Sequence, residues 1–212
     1  MEKPWEDIDY SAVQDLYDKR FNTHLILKRT FDEHDIAKYV PLALEIEEPS
    51  GNYSAHEHGL GPSILQSSTP NLVFDLASKL FQCNHPEQIP DIIWRANLPY
   101  LKISVGSEMS MMLRPDTFWV TNVRTVWSHL VLKHVGNTTL ANEALYLYKS
   151  RETDSEMEYR IWSHIHKLVG PSLQKLYNLA APEAIKRHLK PGDLKLLWAD
   201  AVANTLYNEY SS

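Results

Sequence analysis

The sequence has 212 residues, of which 43% are hydrophobic and 23% are charged, as is ordinary for a globular protein that buries a core. Its formal net charge of −6 at pH 7 excludes broad, nonspecific binding to duplex nucleic acid, which depends on many Lys and Arg contacts to phosphates. A small RNA site built from a few local cations is compatible with this charge. The single cysteine, Cys83, excludes an intramolecular disulfide and the usual Cys-rich zinc sites.

The chain lacks the sequence signals of secretion, membrane insertion and cofactor binding. Its opening "MEKPWEDIDY" is acidic and has no apolar segment, and nowhere do about 18 apolar residues run together. We therefore expect a cytoplasmic protein with no membrane partner. There is no glycine-rich phosphate loop, G-x-S-x-G or H-E-x-x-H, so no cofactor is predicted. His56 and His58 stand close together, but no further ligand is near them in sequence, and no metal site is predicted.

Residues 1–68 form a predicted N-terminal extension that is irregular and only partly helical. Ser11 is a suitable N-cap, and the apolar residues that follow it to Phe21 have helical spacing. Between Glu47 and Pro70 turn-forming residues dominate, and no apolar period survives. This stretch is predicted to be a long loop that ends the extension.

Residues 69–212 have the pattern of a bundle of six to seven helices with short connections, so the predicted fold class is all-α. Thr69 and Pro70 open the first helix as its cap and first turn. Another helix is predicted to start at Pro115 and to stop at Gly136. Gly170 and Pro171 predict a kink or break in the long helix that follows.

The stretch "FWVTNVRTVWSHLVLKH", residues 118–134, mixes polar and aromatic residues in one predicted helix. At 100° per residue, an apolar face that contains Trp127 is expected to enter the core. Arg124 and His129 lie about 140° apart, so one ligand meets both only if Arg124 reaches round the helix or a second subunit completes the site. The polar residues of the other face and its flank are Asn122, Arg124, Thr125, Ser128, His129 and Lys133.

The segment "WVTNVRTVWSH", residues 119–129, resembles the signature of HEPN-type proteins, in particular the Abi-type abortive-infection proteins. That signature is an Arg followed by four to six residues and a His, on a late helix of an all-helical domain. Arg124 and His129 match it. The resemblance covers this helix and the all-helical character of the chain.

The resemblance implies metal-independent RNA cleavage at the interface of a homodimer, in a toxin or phage-defence protein. Ribose 2′-hydroxyl attack on the adjacent phosphate needs a proton-transfer group, for which His129 is suited, and a cation, for which Arg124 is suited. Asn122 or Ser128 is a candidate to orient one of them or to contact the ribose, and Lys133 shares their polar face. Glu108, on a neighbouring predicted helix, is a candidate to orient His129 or Arg124.

Two other Arg–His pairs have a comparable spacing, Arg29 with His34 and Arg160 with His166. The first lies in the extension. The second lies on the long helix, where His164 is expected at the edge of the core, His166 on the exposed side, and Arg160 in an i, i+4 ion pair with Glu156. Arg124 and His129 are preferred because Asn122 precedes them in a well-formed helix.

Two readings from other classes remain open. One is a noncatalytic protein–protein interaction module that binds a protein partner through exposed aromatic residues and the acidic extension. The other is a small-molecule binder or enzyme with an aromatic-lined pocket between helices. The residues expected to line that pocket are Trp94, Glu108, Trp119, Trp127 and His129.

Overall fold

The computed structural model describes residues 3–46, 51–149 and 156–211. The described residues hold eleven α-helices and no strand, so the predicted all-α class is confirmed. Seven of these helices lie within residues 69–212, for which a bundle of six to seven was predicted, but that they form one bundle is not confirmed, because they are divided between two compact units. No helix among these residues is long and apolar enough to cross a membrane.

The helices before residue 69 occupy most of the predicted extension. They are α1 (Tyr10–Asp32), α2 (Ile36–Ala43), α3 (Tyr53–Glu57) and α4 (Leu60–Ser67), after a 3-10 turn at Pro4–Glu6.

The remaining helices follow with connections that are mostly short. They are α5 (Pro70–Gln82), α6 (Ile89–Ala96), α7 (Ile103–Leu113), α8 (Val123–Lys133), α9 (Thr138–Lys149), α10 (Glu156–Lys186) and α11 (Lys195–Tyr210), with a second 3-10 turn at Pro86–Gln88.

The chain forms two compact units. The first unit contains Met1–Asp18 and Thr121–Ser212, and the second contains Lys19–Val120. The predicted division between residues 68 and 69 falls inside the second unit, in the short connection between α4 and α5.

In the first unit, α8 packs against α9, α10 and α11. Trp127 of α8 and Trp198 of α11 are almost completely buried, and the ring of Trp198 meets Tyr177 edge-on with a centroid separation of 5.4 Å. Large rings in offset or edge contacts combine a large apolar area with favourable ring electrostatics. This core fixes α8 on several sides at once.

In the second unit, Phe31 lies at the centre of an aromatic cluster. Its ring centroid is 5.1 Å from that of Phe74 and 5.0 Å from that of Phe81, both on α5. Helix α5 begins as predicted, because Thr69 caps it by accepting a hydrogen bond from the backbone N–H of Leu72. The aromatic cluster thereby packs α1 against α5, a helix whose start is determined by residues next to it in the sequence.

The prediction of a long loop between Glu47 and Pro70 is wrong for residues 53–57 and 60–67, which form α3 and α4, while residues 47–50 lie outside the described part of the chain. The Asn52 side chain caps α3 by accepting from Ala55 N, and it also donates to the carbonyl oxygen of Val105 on α7. The second bond joins residues 53 positions apart, so a local sequence pattern does not contain it.

The prediction that the helix of residues 118–134 starts at Pro115 is also wrong, since α8 begins at Val123. Asn122 has extended backbone and its side chain accepts from the N–H groups of Arg124 and Thr125. These bonds satisfy donors that a helix start leaves without intrahelical partners, so the cap fixes the start.

Helix α10 is continuous from Glu156 to Lys186, so of the kink or break predicted at Gly170–Pro171 the break is wrong. A proline inside a helix removes one N–H and costs about 3 kcal/mol. The buried residues Val169 and Leu173 flank Pro171 and continue the core face of the helix across it. We attribute the continuity of α10 to this packing.

Candidate functional site

Asn122, predicted to orient a catalytic group or contact the ribose, is the N-cap of α8. Its side-chain oxygen accepts hydrogen bonds from Arg124 N and Thr125 N, each at 3.1 Å, and Thr125 Oγ1 accepts one from Asn122 N. This reciprocal capping box holds the first turn of the helix. The side-chain oxygen of Asn122 therefore serves the backbone that positions Arg124.

Arg124 is half-buried in the first turn of α8. Its guanidinium carbon is 6.0 Å from the ring centroid of Tyr207 on α11, at the outer limit of a cation–π contact. The aromatic ring limits the directions open to the guanidinium, which lies on the α11 side of the helix.

His129 is half-buried and lies against α10. Its Nδ1 is 2.7 Å from Oγ of Ser172, and that hydroxyl is 3.0 Å from the carbonyl oxygen of Leu168. Burial lowers the pKa of His129 below its ordinary value, and the positive charges of Lys133 and His134 lower it further. The imidazole is accordingly mainly in its neutral form at pH 7.

Arg124 and His129 contact different helices of the first unit. Arg124 faces Tyr207 of α11, and His129 faces Ser172 of α10. This arrangement follows from the angle of about 140° between the two positions on the helix.

Lys133 lies one helical turn after His129 and is exposed. After burial, its positive charge is the next largest cause of the lowered pKa of His129. His129, Lys133 and Ser172 are called the His129 cluster below. The cluster combines a neutral imidazole, a cation and a hydroxyl at the surface of the first unit.

Trp127 and Ser128 belong to the core. The Trp127 ring is fully buried, its Nε1 donates to Asn142 Oδ1 at 2.6 Å, and it meets Tyr207 edge-on at 5.8 Å. Ser128 is 2% exposed, and its hydroxyl has no hydrogen-bond partner among the described residues. The predicted burial of Trp127 is confirmed, whereas neither residue offers a ligand-binding surface.

The polar face of α8 is less exposed than the helical wheel predicts. Thr125 and Asn122 are buried although they lie on the side of His129. The reason is that three helices surround α8, so a simple division into core and solvent faces does not hold for it.

Glu108 of α7 lies in the second unit and is fully buried. Its Oε1 accepts from Arg20 Nη1 at 2.7 Å and from Tyr53 N at 3.1 Å. Its Oε2 accepts from the backbone N–H of Ser54 at 3.0 Å and from the Ser54 hydroxyl at 2.7 Å. Four donors match the capacity of a carboxylate, so these bonds account for Glu108 without its predicted role of orienting His129 or Arg124.

The long helix α10 places its histidines opposite to the prediction. His166 is buried, with Nδ1 2.6 Å from Thr121 Oγ1, and His164 is exposed. The predicted pair of Arg160 and Glu156 is confirmed at 2.6 Å, and Arg160 lies on the surface. His166 is buried, whereas His129 is half-buried, and this difference in exposure sets the two histidines apart.

The remaining candidate residues differ in their exposure. Arg29 and His34 are both exposed. His56 and His58 are exposed at the end of α3, and the described residues contain no group of three side chains able to hold a metal ion. Trp94 is partly exposed, and Trp119 is buried.

A groove of about 480 Å³ lies on the first unit, at the start of α9. It contains none of the residues predicted to form a site. Its lining residues are Lys3, Pro4, Asp7, Gly136, Asn137, Thr138, Thr139 and Tyr210.

The His129 cluster is the part of the described chain that best combines accessibility with proton-transfer chemistry. The sequence patterns indicated His129 and Lys133 but missed Ser172, which lies 43 residues after His129 and follows a proline in α10. No local signal identifies it, because its partner comes from another helix. Compared with models of protein families, with curated proteins and with solved structures, the chain has no match.

Proposed function

We propose that the protein is a cytoplasmic, metal-independent ribonuclease of the toxin or phage-defence type that uses the His129 cluster. The observation that carries this proposal is the half-buried imidazole of His129, held through Nδ1 by Ser172 and kept neutral by a depressed pKa. A neutral imidazole at pH 7 is the form that accepts a proton.

The proposed reaction is transfer of a phosphodiester to the neighbouring ribose hydroxyl. His129 takes the proton of the 2′-hydroxyl, the 2′-oxygen forms a bond to phosphorus, and the bond from phosphorus to the 5′-oxygen breaks. The leaving 5′-oxygen takes a proton from water, and the imidazolium of His129 then returns its proton to solvent. The products are a 2′,3′-cyclic phosphate and a free 5′-hydroxyl. The exposed ammonium of Lys133 supplies positive charge for the phosphate oxygens, whose negative charge grows in the transition state.

Arg124 is proposed as a second cation for the same transition state. Since Arg124 and His129 contact different helices, a second copy of the chain is the proposed source of the Arg124 that acts beside His129. A guanidinium presents a planar pair of donors to phosphate, for which an ammonium is a weaker substitute. The proposed active form is therefore a homodimer.

The test is a cleavage assay on total RNA in the presence of a chelator, with wild type, His129→Ala, Lys133→Ala and Arg124→Ala. Loss of a general acid–base group typically costs about 10²- to 10⁴-fold, so His129→Ala is expected to reduce cleavage by at least about a hundredfold. His164→Ala is the matched control, since His164 is an exposed histidine on α10. It should cleave like wild type.

Each variant must retain the helical circular dichroism signal of wild type, so that loss of cleavage reports chemistry rather than unfolding. A folded wild type that leaves RNA intact would refute catalysis. RNA binding without cleavage, weakened by Lys133→Ala, would instead support an RNA-binding protein at the same surface.

A noncatalytic interaction module is the second candidate, because exposed apolar side chains flank the His129 cluster. Val135, two residues after Lys133, is 77% exposed, and Leu168, one turn before Ser172, is 41% exposed. An apolar patch with a polar rim is a common feature of protein-binding surfaces, and Val135 and Leu168 are the candidate members of such a patch. If Val135→Asp abolishes the activity of the protein in cells while His129→Ala preserves that activity, the interaction module replaces the ribonuclease as the proposed function.

A further inference from the structure

At the contact between α8 and α10, the hydroxyl of Ser172 lies between two atoms that can accept a hydrogen bond, His129 Nδ1 and the carbonyl oxygen of Leu168. Ser172 Oγ lies 2.7 Å from His129 Nδ1 and 3.0 Å from the carbonyl oxygen of Leu168. A serine hydroxyl has one proton to donate and two lone pairs that accept. The carbonyl oxygen of Leu168 only accepts, so the position of the single hydroxyl proton decides the role of His129.

Two arrangements of the protons are available. If Ser172 donates to Leu168, then its oxygen accepts from a protonated Nδ1 of His129, and both contacts are hydrogen bonds. If Ser172 donates to an unprotonated Nδ1, the contact with Leu168 brings two acceptors together and no bond forms there. The first arrangement makes one more hydrogen bond and is therefore favoured.

We propose that Ser172 is a positioning residue that holds His129 as the Nδ1–H tautomer and leaves Nε2 as the nitrogen that exchanges protons with substrate. The catalytic part of this inference rests on the proposed ribonuclease function. The tautomer itself is a property of the folded protein and has its own test.

The same arrangement serves both protonation states of His129. The imidazolium also carries a proton on Nδ1, so Ser172 accepts from it before and after Nε2 takes up a proton. The ring then keeps its orientation throughout proton transfer. If the neighbouring group donated a hydrogen bond to Nδ1 instead of accepting one, it would have to rotate away each time Nδ1 became protonated.

The position of Ser172 is itself held by the core. Val169 and Leu173, on either side of it in α10, are buried, and Leu168 lies one turn earlier in the same helix. The hydroxyl is thus presented to His129 from a rigid element, as positioning groups require.

The test is nitrogen-15 NMR of the histidine side chains at a pH well above the His129 pKa, on the full chain as wild type, Ser172→Ala and Ser172→Thr. The signals of His129 are assigned by their loss in His129→Gln. In wild type Nδ1 should have the chemical shift of a protonated nitrogen and Nε2 that of an unprotonated one. Exposed His164 provides the reference for a ring without this contact.

Ser172→Ala should lose the excess of the Nδ1–H tautomer, and Ser172→Thr should retain it, because a threonine hydroxyl can make the same i, i−4 bond. A wild-type His129 with its proton on Nε2 overturns the proposal. So does an Nδ1–H tautomer that persists in Ser172→Ala.

Cleavage assays then separate the inference from the proposed function. Loss of one orienting hydrogen bond is expected to lower kcat roughly two- to tenfold, with KM unchanged and recovery in Ser172→Thr. If the tautomer depends on Ser172 but wild type cleaves no RNA, the ribonuclease proposal fails and the positioning of His129 stands. If wild type cleaves RNA and Ser172→Ala changes neither tautomer nor kcat, the positioning role fails alone.

Discussion

The two units each contain a polar cluster, and the clusters differ in what their bonds leave available. In the second unit, Arg20 and Glu108 are buried, and the carboxylate of Glu108 accepts four hydrogen bonds. This set is called the Glu108 cluster. In the first unit, His129 is half-buried and uses Nδ1 for its contact with Ser172.

The comparison shows why burial and charge alone do not identify a functional site. The Glu108 cluster contains a buried ion pair. Its carboxylate oxygens, however, already accept the hydrogen bonds that attach the start of α3 to α7. The His129 cluster is weaker as a set of contacts, yet it includes an accessible cation and an imidazole with a perturbed pKa. Perturbed titratable groups at accessible positions are the better indicator of chemistry. The Glu108 cluster is therefore interpreted as structural, and the His129 cluster remains the proposed functional site.

The largest effect is expected from Glu108→Ala. Removing one partner of a buried ion pair typically costs about 3–5 kcal/mol, because the remaining charge stays in a poor environment for it. Here the substitution also removes the acceptor for Tyr53 N and Ser54 N. Urea denaturation should show a loss of that size in the free energy of unfolding.

The control for this experiment is Glu156→Ala, which removes the exposed ion pair with Arg160 at nearly the same distance. Exposed i, i+4 pairs contribute about 0.3–0.5 kcal/mol. Equal losses in the two variants would show that the Glu108 cluster is not the structural element described here.

Trp127→Ala is expected to have an effect of similar size in the first unit. Its ring is fully buried, and truncation of a buried Trp costs about 3–5 kcal/mol. Trp94→Ala is a suitable control, since that ring is 37% exposed and should lose clearly less. Thermal denaturation that is unchanged in Trp127→Ala would contradict the burial of this face of α8, on which the placement of His129 depends.

The elements with local signals were predictable from the sequence. Helix α5 begins where Thr69 and Pro70 indicate. There the cap residue, the first-turn proline and the apolar spacing agree. A helix can be predicted from a single sequence when its helix propensity, its capping residues and its apolar pattern agree in this way.

The elements that depend on distant contacts were not predictable in this way. Helix α3 has five residues and is held by Glu108 and by the Asn52 bond to Val105. Isolated helices of this length are unstable in water, so their formation depends on tertiary contacts. The start of α8 differs from this case, because Asn122 is a good N-cap and the local signal for the start at Val123 is present in the sequence.

The candidate site was predictable only in part. The sequence indicated His129 and Lys133 through their spacing on one helix. The residue pattern of one helix does not predict which other helices pack against it. Ser172 and the division of Arg124 and His129 between α11 and α10 come from packing. The same packing buries Ser128, which the wheel leaves on the flank.

His129→Ala is expected to have a small effect on stability, in contrast to Glu108→Ala. The substitution removes one hydrogen bond and part of a half-buried ring, at a cost of about 1 kcal/mol. Urea denaturation of this variant and of Glu108→Ala under the same conditions makes the comparison direct. A loss above about 3 kcal/mol in His129→Ala would move the His129 cluster into the structural class.

The smallest effect is the contribution of His129 to the pH dependence of stability. Burial, followed by the charges of Lys133 and His134, keeps its folded-state pKa below the ordinary value of 6.5. Below pH 6.5 the unfolded chain therefore binds a proton more readily than the folded chain does. This contribution to stability is fully present above pH 6.5 and is lost as the pH falls through the folded-state pKa.

His129→Gln removes that contribution, while other titrating groups remain. The difference in unfolding free energy between wild type and His129→Gln should therefore shift against wild type as the pH is lowered from 7.5 to 5. A difference that is constant with pH, or that shifts in favour of wild type, would show that the imidazole is not depressed in its pKa. In that case His129 would be partly charged near neutral pH, and its assignment as the proton acceptor would lose its main physical support.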